Sequence, residues 1–160
     1  MEREAVTNSS CLIYLAKINR IDLLKNIFKI IFIPKQVTEE IFEKNNLENN
    51  IIKKELNNFI KEVQIKDLKT FPIDKGENSA ISYCLEKNIK MFLSDDKKAR
   101  NFAQTLGIEA MGTLGILLNN VRDKKLEKEE CKILLKNLIE RGLYISLEVY
   151  SEILKLIEDA

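Results

Sequence analysis

The chain has 160 residues, of which 45% are hydrophobic, and this is enough apolar material for the core of one domain. Its 26 basic and 25 acidic residues give a formal net charge of +1, so the overall charge does not point to nucleic acid. The chain has no histidine, which excludes Ser-His-Asp and Cys-His catalysis and most catalytic zinc sites. Hydrolytic chemistry would therefore use carboxylates, with a hard divalent cation as their usual partner.

The composition also bears on cellular location. No hydrophobic run approaches the ~18 residues of a membrane span, and the start Met-Glu-Arg-Glu does not resemble a signal peptide. We therefore expect a cytoplasmic protein with no membrane contact. Cys11, Cys84 and Cys131 match neither a zinc spacing nor an even disulfide framework, and we expect reduced thiols in the core.

Short β-branched runs alternate with amphipathic segments along most of the chain. In chain order the pattern predicts strand 4–7, helix 11–17, helix 21–28, strand 29–33, helix 34–44, helix 51–61, strand 63–65, helix 74–85, strand 90–94, helix 96–106, strand 108–110, and helices from 112 onward, at 127–140 and at 147–157. This alternation predicts an α/β fold, specifically a three-layer α/β/α sandwich with a mainly parallel sheet. We expect one domain over residues 1–160, with the helices of about 127–160 packed on it or used for association.

The segment 90–100 is the most informative part of the sequence. It predicts a buried strand that ends near Ser94 and delivers two adjacent acids, Asp95 and Asp96, to the start of a helix. Acids at the carboxyl end of a strand lie where open α/β sheets bind ligands. The structural alternative is that Asp95 caps the helix and Asp96 interacts favourably with its dipole.

Three other residues occupy comparable places. Asn8 follows the first strand, Glu77 opens the helix before segment 90–100, and Glu40 lies one turn inside the helix after Pro34. Carboxylates gathered around one cleft repel each other unless a cation is present, so such a cluster is typical of a Mg²⁺ or Mn²⁺ site. Two-metal phosphodiester cleavage needs a site of this kind. Capping and solvation are the alternative roles for all three residues.

Five segments, at 6–15, 33–41, 75–81, 92–100 and 112–117, together resemble the PIN-domain family. These metal-dependent ribonucleases include the toxins of many prokaryotic toxin-antitoxin pairs, and the five segments are similar to a little-characterised prokaryotic subfamily. The resemblance implies the same α/β sandwich and an endoribonuclease in which metal-activated water attacks the RNA phosphodiester. It also implies Mg²⁺ or Mn²⁺ as cofactor and an antitoxin protein as a partner.

The resemblance assigns roles to particular acids. Glu40 takes the place of the family's helix carboxylate, Glu77 that of the third acid, and Asp96 that of the fourth, with Asp95 sharing the last role. The family has aspartate where this chain has Asn8, whose carbonyl oxygen can ligate Mg²⁺ but which brings no charge and cannot act as a base. A natural degenerate member, an active member with a weakened site, and an engineered inactivation all fit this difference.

We expect the side chains of Asn8, Glu40, Glu77 and Asp96 to converge on one cleft. Around them, five residues are candidates for substrate binding, either through a hydroxyl that orients ligands or water or through a cation that holds phosphate: Ser9, Lys97, Lys98, Arg100 and Thr113. Capping and a solvated helix face are their alternative roles.

The alternative function is a catalytically impaired RNA-binding or protein-interaction module. Such a module would keep the fold and use its C-terminal amphipathic helices for contact with an antitoxin or with a second copy in a homodimer. A phosphatase or receiver-like domain is disfavoured, because the first strand ends at Asn8 where such proteins need an aspartate nucleophile.

Overall fold

The computed structural model describes residues 3–160, and within them five parallel strands form a sheet in the order β3-β2-β1-β4-β5. The strands are β1 Glu4–Thr7, β2 Ile30–Pro34, β3 Ile60–Val63, β4 Met91–Leu93 and β5 Glu109–Met111. β1 lies in the centre, where Val6 is in register with Phe32 of β2 and Phe92 of β4. All the strands run the same way, so Thr7, Pro34 and Leu93 end at one side of the molecule, called here the carboxyl end of the sheet.

Helices cover both faces of the sheet, which confirms the predicted three-layer sandwich. The helices are α1 Ser9–Lys17, α2 Asp22–Lys25, α3 Lys35–Phe42, α4 Leu47–Glu55, α5 Lys75–Lys87, α6 Lys97–Thr105, α7 Thr113–Arg122, α8 Lys128–Glu140 and α9 Leu147–Asp159. Neighbouring strand residues point to opposite faces. Accordingly Ala5 packs in the core formed with α1 and α7, whereas Val6 packs in the core formed with α5 and α6.

The prediction was wrong between residues 45 and 65. The asparagine-rich stretch starts a helix where a break was expected, because the side chain of Asn46 accepts a hydrogen bond from the Asn49 amide at 2.9 Å and caps α4. The predicted helix 51–61 ends early, since Asn57 adopts a left-handed conformation with φ 65°. The strand expected at 63–65 therefore begins at Ile60, which pairs with Ile31 of β2.

The C-terminal helices extend the core on the α1 and α7 side. Leu135 and Leu138 of α8 and Ile157 of α9 are buried in it. Within the described part of the chain, no helix combines the length and the apolarity that crossing a bilayer requires.

The three cysteines are unpaired and buried, as expected for core thiols. Burial raises the pKa of the Cys84 thiol to about 12 and that of Cys131 to about 11. Burial also raises the pKa of Cys11 well above its ordinary value.

Gly112, which precedes α7, lies where there is no space for a side chain. A Cβ atom built there would lie 2.8 Å from Asp95 Oδ1 and 3.2 Å from both Arg100 Nη1 and the Ser94 carbonyl oxygen. Gly76 in the first turn of α5 differs, because a Cβ there would make ordinary contacts of 3.7 Å with Val37 and 3.8 Å with Glu40.

These two glycines give a matched pair of substitutions. We expect Gly112→Ala to lower the free energy of unfolding by about 1–3 kcal/mol, because a carboxylate or the backbone must move aside. Gly76→Ala should leave it unchanged or raise it by up to about 1 kcal/mol, since alanine favours helix. Urea unfolding of both variants measures the difference. Equal stability of the two would contradict the close approach at Gly112.

Candidate metal centre

The carboxyl end of the sheet brings together the residues that follow β1 and β4. The Asn8 amide donates to the Leu93 carbonyl at 3.1 Å, and this extends the pairing of the two strands by one residue. Ser94 follows β4, is fully buried, and accepts hydrogen bonds at its Oγ from Asn8 Nδ2 at 2.9 Å and from the Asp96 amide at 3.1 Å. The Ser94 hydroxyl thus holds the two segments beside each other.

The orientation of the Asn8 amide is fixed by its partners. Oδ1 accepts hydrogen bonds from Ser10 N at 3.1 Å and Ser10 Oγ at 2.9 Å, which caps α1. A backbone N–H can only donate, so the oxygen must face Ser10. Nδ2 consequently points the other way and donates to Glu77 Oε1 at 2.9 Å. Asn8 therefore meets the acidic side of the cleft as a hydrogen-bond donor.

Three carboxylates form a cluster next to Asn8. One oxygen each from Asp74, Glu77 and Asp96 lie within 4.8 Å of one another. Asp74 precedes α5 at its N-cap position, and Asp96 precedes α6 and caps it by accepting from the Ala99 amide at 3.2 Å. Hard divalent cations prefer several carboxylate oxygens, so the donor set of the cluster fits Mg²⁺ or Mn²⁺.

Glu77 carries the electrostatic cost of this arrangement. Partial burial raises the pKa of its carboxyl, and the negative charges of Asp74 and Asp96 raise it further. Its own backbone amide and the Asn8 side chain lower the pKa by hydrogen bonding, and the net shift is upward. A bound cation would relieve the same repulsion.

Glu40 reaches the cleft from α3. It lines a cavity of about 310 Å³ together with Asn8, Ser9 and Glu77. A Cβ atom built on Gly76 would lie 3.8 Å from Glu40 Oε2, so the Glu40 carboxylate lies beside the first turn of α5. The structure thus places Asn8, Glu40 and Glu77 around one cavity, with Asp96 adjoining Glu77.

Asp95 lies apart from this cluster. Its Oδ1 accepts a hydrogen bond from the Thr113 amide and its Oδ2 accepts one from Thr113 Oγ1, each at 2.7 Å. Thr113 is fully buried, so its hydroxyl is not at the surface. Arg100 Nη1 donates to the Ser94 carbonyl at 3.0 Å, so the guanidinium group of Arg100 is bound to the protein backbone. Lys97 is exposed at the start of α6, as is Lys98.

Asp74 was not anticipated from the sequence. Its position three residues before Glu77 was the available signal, because the N-cap and third residue of a helix lie on the same turn.

The segment 64–74, which leads to Asp74, has no helix or strand of its own and is held along α5. Side chains of α5 make this attachment: Asn78 Oδ1 accepts from the Phe71 amide, Ser82 Oγ from the Lys69 amide, and Glu86 Oε1 from the amides of Lys66 and Asp67.

Replacing Glu77 by glutamine should stabilise the cation-free protein. A raised pKa means that ionised Glu77 costs folding free energy above its folded pKa. We expect Glu77→Gln to raise the free energy of unfolding at neutral pH by a few tenths to about 1 kcal/mol, a small value because the carboxyl is only half-buried. The gain should vanish below about pH 4, where the glutamate is protonated both folded and unfolded.

Chemical unfolding in the presence of a chelator, at pH 7 and at pH 3.5, measures this effect. Glu39→Gln, at an exposed position of α3, is the control and should change nothing. A loss of stability in Glu77→Gln at pH 7 would mean that the carboxylate is held favourably without a cation.

Solved structures of other proteins have a similar fold. One similar solved structure is a PilT N-terminus domain protein from the hyperthermophilic archaeon Sulfolobus solfataricus P2, with a TM-score of 0.55, 18% identity, and coverage of 72% of this chain and 92% of that chain. Another is the PIN domain endonuclease Utp24, with a TM-score of 0.53, 8% identity, and coverage of 68% of this chain and 84% of that chain. These likenesses concern the fold. A search of curated proteins gives no match to the sequence.

The family comparison covers almost the whole sequence. Residues 4–159 match the model of the DUF3368 family, which is described as a PIN domain. The match includes the parallel sheet, the acidic cluster beside its carboxyl end and the C-terminal helices. The chain therefore belongs to the PIN-domain family.

Proposed function

We propose that this protein is a metal-dependent endoribonuclease that binds Mg²⁺ or Mn²⁺ at Asp74, Glu77 and Asp96, with Glu40 lining the cavity beside them. The observation that carries the proposal is the cluster of carboxylate oxygens within 4.8 Å of one another at the carboxyl end of a PIN-domain sheet. RNA is the proposed substrate because the sequence resembles metal-dependent ribonucleases.

When bound, the cation would activate water and neutralise charge on the leaving oxygen of the phosphodiester. The protein's own residues set the place of the reaction. Glu77 and Asp96 hold negative charge where the cation binds, and Ser9 lines the cavity from which a substrate would approach. The exposed ammonium groups of Lys97 and Lys98 directly follow Asp96 and are the proposed contacts for RNA phosphates.

Asn8 reduces both the repulsion in the cluster and its affinity for a cation. Its side-chain amide donates a hydrogen bond to Glu77. This bond stabilises the ionised carboxylate, as a bound cation would, but it adds no positive charge. To act as a ligand the Asn8 side chain would have to turn over, and its NH₂ group would then face the Ser10 amide. We therefore propose that Asn8 contributes as a donor to Glu77 and that catalysis in this chain is weak.

The alternative is an RNA-binding or protein-interaction module that has kept the fold without efficient catalysis. Exposed apolar side chains at the C-terminal helices favour it: Tyr144 is 87% exposed and Leu147 is 81% exposed. An antitoxin protein or a second copy of the chain would be the partner at such a surface.

Asn8→Asp should exchange stability for cation affinity. The substitution puts a carboxylate oxygen where the amide now donates to Glu77 Oε1 at 2.9 Å, so we expect the cation-free protein to lose about 1–3 kcal/mol of unfolding free energy. Millimolar Mn²⁺ should restore much of this loss, and Mn²⁺ should bind more tightly than to the unsubstituted chain.

Thermal unfolding and calorimetric titration with Mn²⁺ measure both effects. Asn49→Asp is a matched control, since it also places a carboxylate at a buried asparagine, whose Nδ2 donates to the carbonyls of Ile41 and Lys44. That variant should be destabilised without rescue by Mn²⁺. Equal rescue of both variants, or an unchanged Mn²⁺ affinity of Asn8→Asp, would remove Asn8 from the cation site.

Cleavage of end-labelled RNA of mixed sequence in Mn²⁺ tests the activity itself. We expect Asn8→Asp to cleave at least about tenfold faster than the unsubstituted chain, because a carboxylate replaces a neutral amide beside the cation. Adding Asp96→Asn to Asn8→Asp should abolish the gain. No cleavage by any of these proteins, with each of them folded, would support the binding-module alternative.

A further inference from the structure

The two adjacent acids after β4 have different surroundings. Asp96 belongs to the acidic cluster, whereas both carboxylate oxygens of Asp95 accept hydrogen bonds from Thr113. Asp95 lies at a bend between β4 and α6, and Asp96 is the N-cap residue of α6. The two carboxylates therefore have different partners, Thr113 for Asp95 and the Ala99 amide for Asp96.

Asp95 connects three elements. Its carboxylate holds the first residue of α7, Thr113, and its backbone amide donates to Ser10 Oγ of α1 at 3.0 Å. Ser10 Oγ in turn donates to Asn8 Oδ1 at 2.9 Å. We call Ser10, Asp95 and Thr113 the Asp95 brace. The brace fixes the segment from Ser94 to the start of α6 against α1 on one side and α7 on the other.

The contacts around Asp95 hold its carboxylate at the start of α7. Gly112 approaches so closely that a Cβ atom there would lie 2.8 Å from Asp95 Oδ1. Thr113 is fully buried, so water does not readily replace the two hydrogen bonds that it donates. Arg100 Nη1 also lies beside Gly112 and donates to the Ser94 carbonyl at 3.0 Å, which holds the backbone just before Asp95.

We propose that Asp95 is a positioning residue and that its carboxylate does not coordinate the cation. The brace sets the backbone of residues 94–96, and this backbone sets the places of the Asp96 carboxylate and of the Ser94 hydroxyl that holds Asn8. The inference rests on the proposed cation site. It assigns to the Asp95 side chain a hydrogen-bonding role in which shape matters more than charge.

Asparagine and alanine at position 95 separate shape from charge. Asparagine keeps the size of the side chain, an oxygen that accepts from the Thr113 amide, and an NH₂ group that donates to the threonine hydroxyl, but it removes the charge. Alanine removes all of these contacts. The readout is the Mn²⁺ dissociation constant, measured by calorimetry for the two variants, for Asp96→Asn and for the unsubstituted chain. Unfolding of each protein is measured alongside.

We expect Asp95→Asn to bind Mn²⁺ with an affinity within about twofold of that of the unsubstituted chain. Asp95→Ala should bind about tenfold more weakly, as for loss of a residue that orients a ligand. Asp96→Asn should weaken binding by at least about tenfold, since it removes a ligand charge. Rescue by asparagine distinguishes positioning from a contribution of charge at the cation.

Each variant has an outcome that would overturn the inference. Weakening in Asp95→Asn as large as in Asp96→Asn would show that the Asp95 charge acts at the cation. Unchanged binding in a folded Asp95→Ala would show that the brace does not position the site.

A second variant applies if Asp95→Ala does not fold. Thr113→Val removes only the hydroxyl donor and should weaken Mn²⁺ binding about threefold, which is part of the loss expected for alanine. Unchanged Mn²⁺ affinity of Thr113→Val would then overturn the inference. Unchanged binding in Asp96→Asn would instead refute the proposed cation site, and the inference with it.

Discussion

Holding carboxylates half-buried and close together at one end of a parallel sheet is the constraint that shapes this site. Burial is the largest cause of the raised pKa of Glu77, and the charges of Asp74 and Asp96 raise it further, so ionised Glu77 carries a cost in folding free energy. The hydrogen bond from Asn8 and the N-terminal ends of helices offset part of it. Asn8, Asp74 and Asp96 are each the N-cap residue of a helix, so the partial positive charges of α1, α5 and α6 all face the cluster.

This arrangement gives the same residues two functions. An N-cap residue is needed to begin each helix, and a polar group is needed at the cleft. Parallel strands end together, and α1 and α6 start soon after the ends of β1 and β4, so Asn8 and Asp96 meet both needs at one place in the fold. Asp96 illustrates the combination, since one of its oxygens accepts from the Ala99 amide while its carboxylate also belongs to the cluster.

The sequence predicted those features that depend on local patterns. The runs around β1, β2 and β4 are β-branched or apolar and are followed by capping residues, so their ends, and with them Asn8 and Asp96, could be placed without a structure. The roles of the other acids depend on distant partners. Thr113 lies 18 residues from the carboxylate that it binds, and no periodicity predicts that contact. The end of α4 depended on one left-handed asparagine, Asn57, which helical spacing of apolar residues does not reveal.

The cysteines have a practical consequence. Cys11, Cys84 and Cys131 are buried, and burial keeps their thiols protonated at neutral pH. The thiolate is the form that maleimides and iodoacetamides attack, and reaching it here would require opening the core. Thiol reagents should therefore leave the folded chain unlabelled. A single cysteine placed at the exposed Lys98, beside the cleft, would carry a fluorophore or spin label at one defined point without removing any of the natural cysteines.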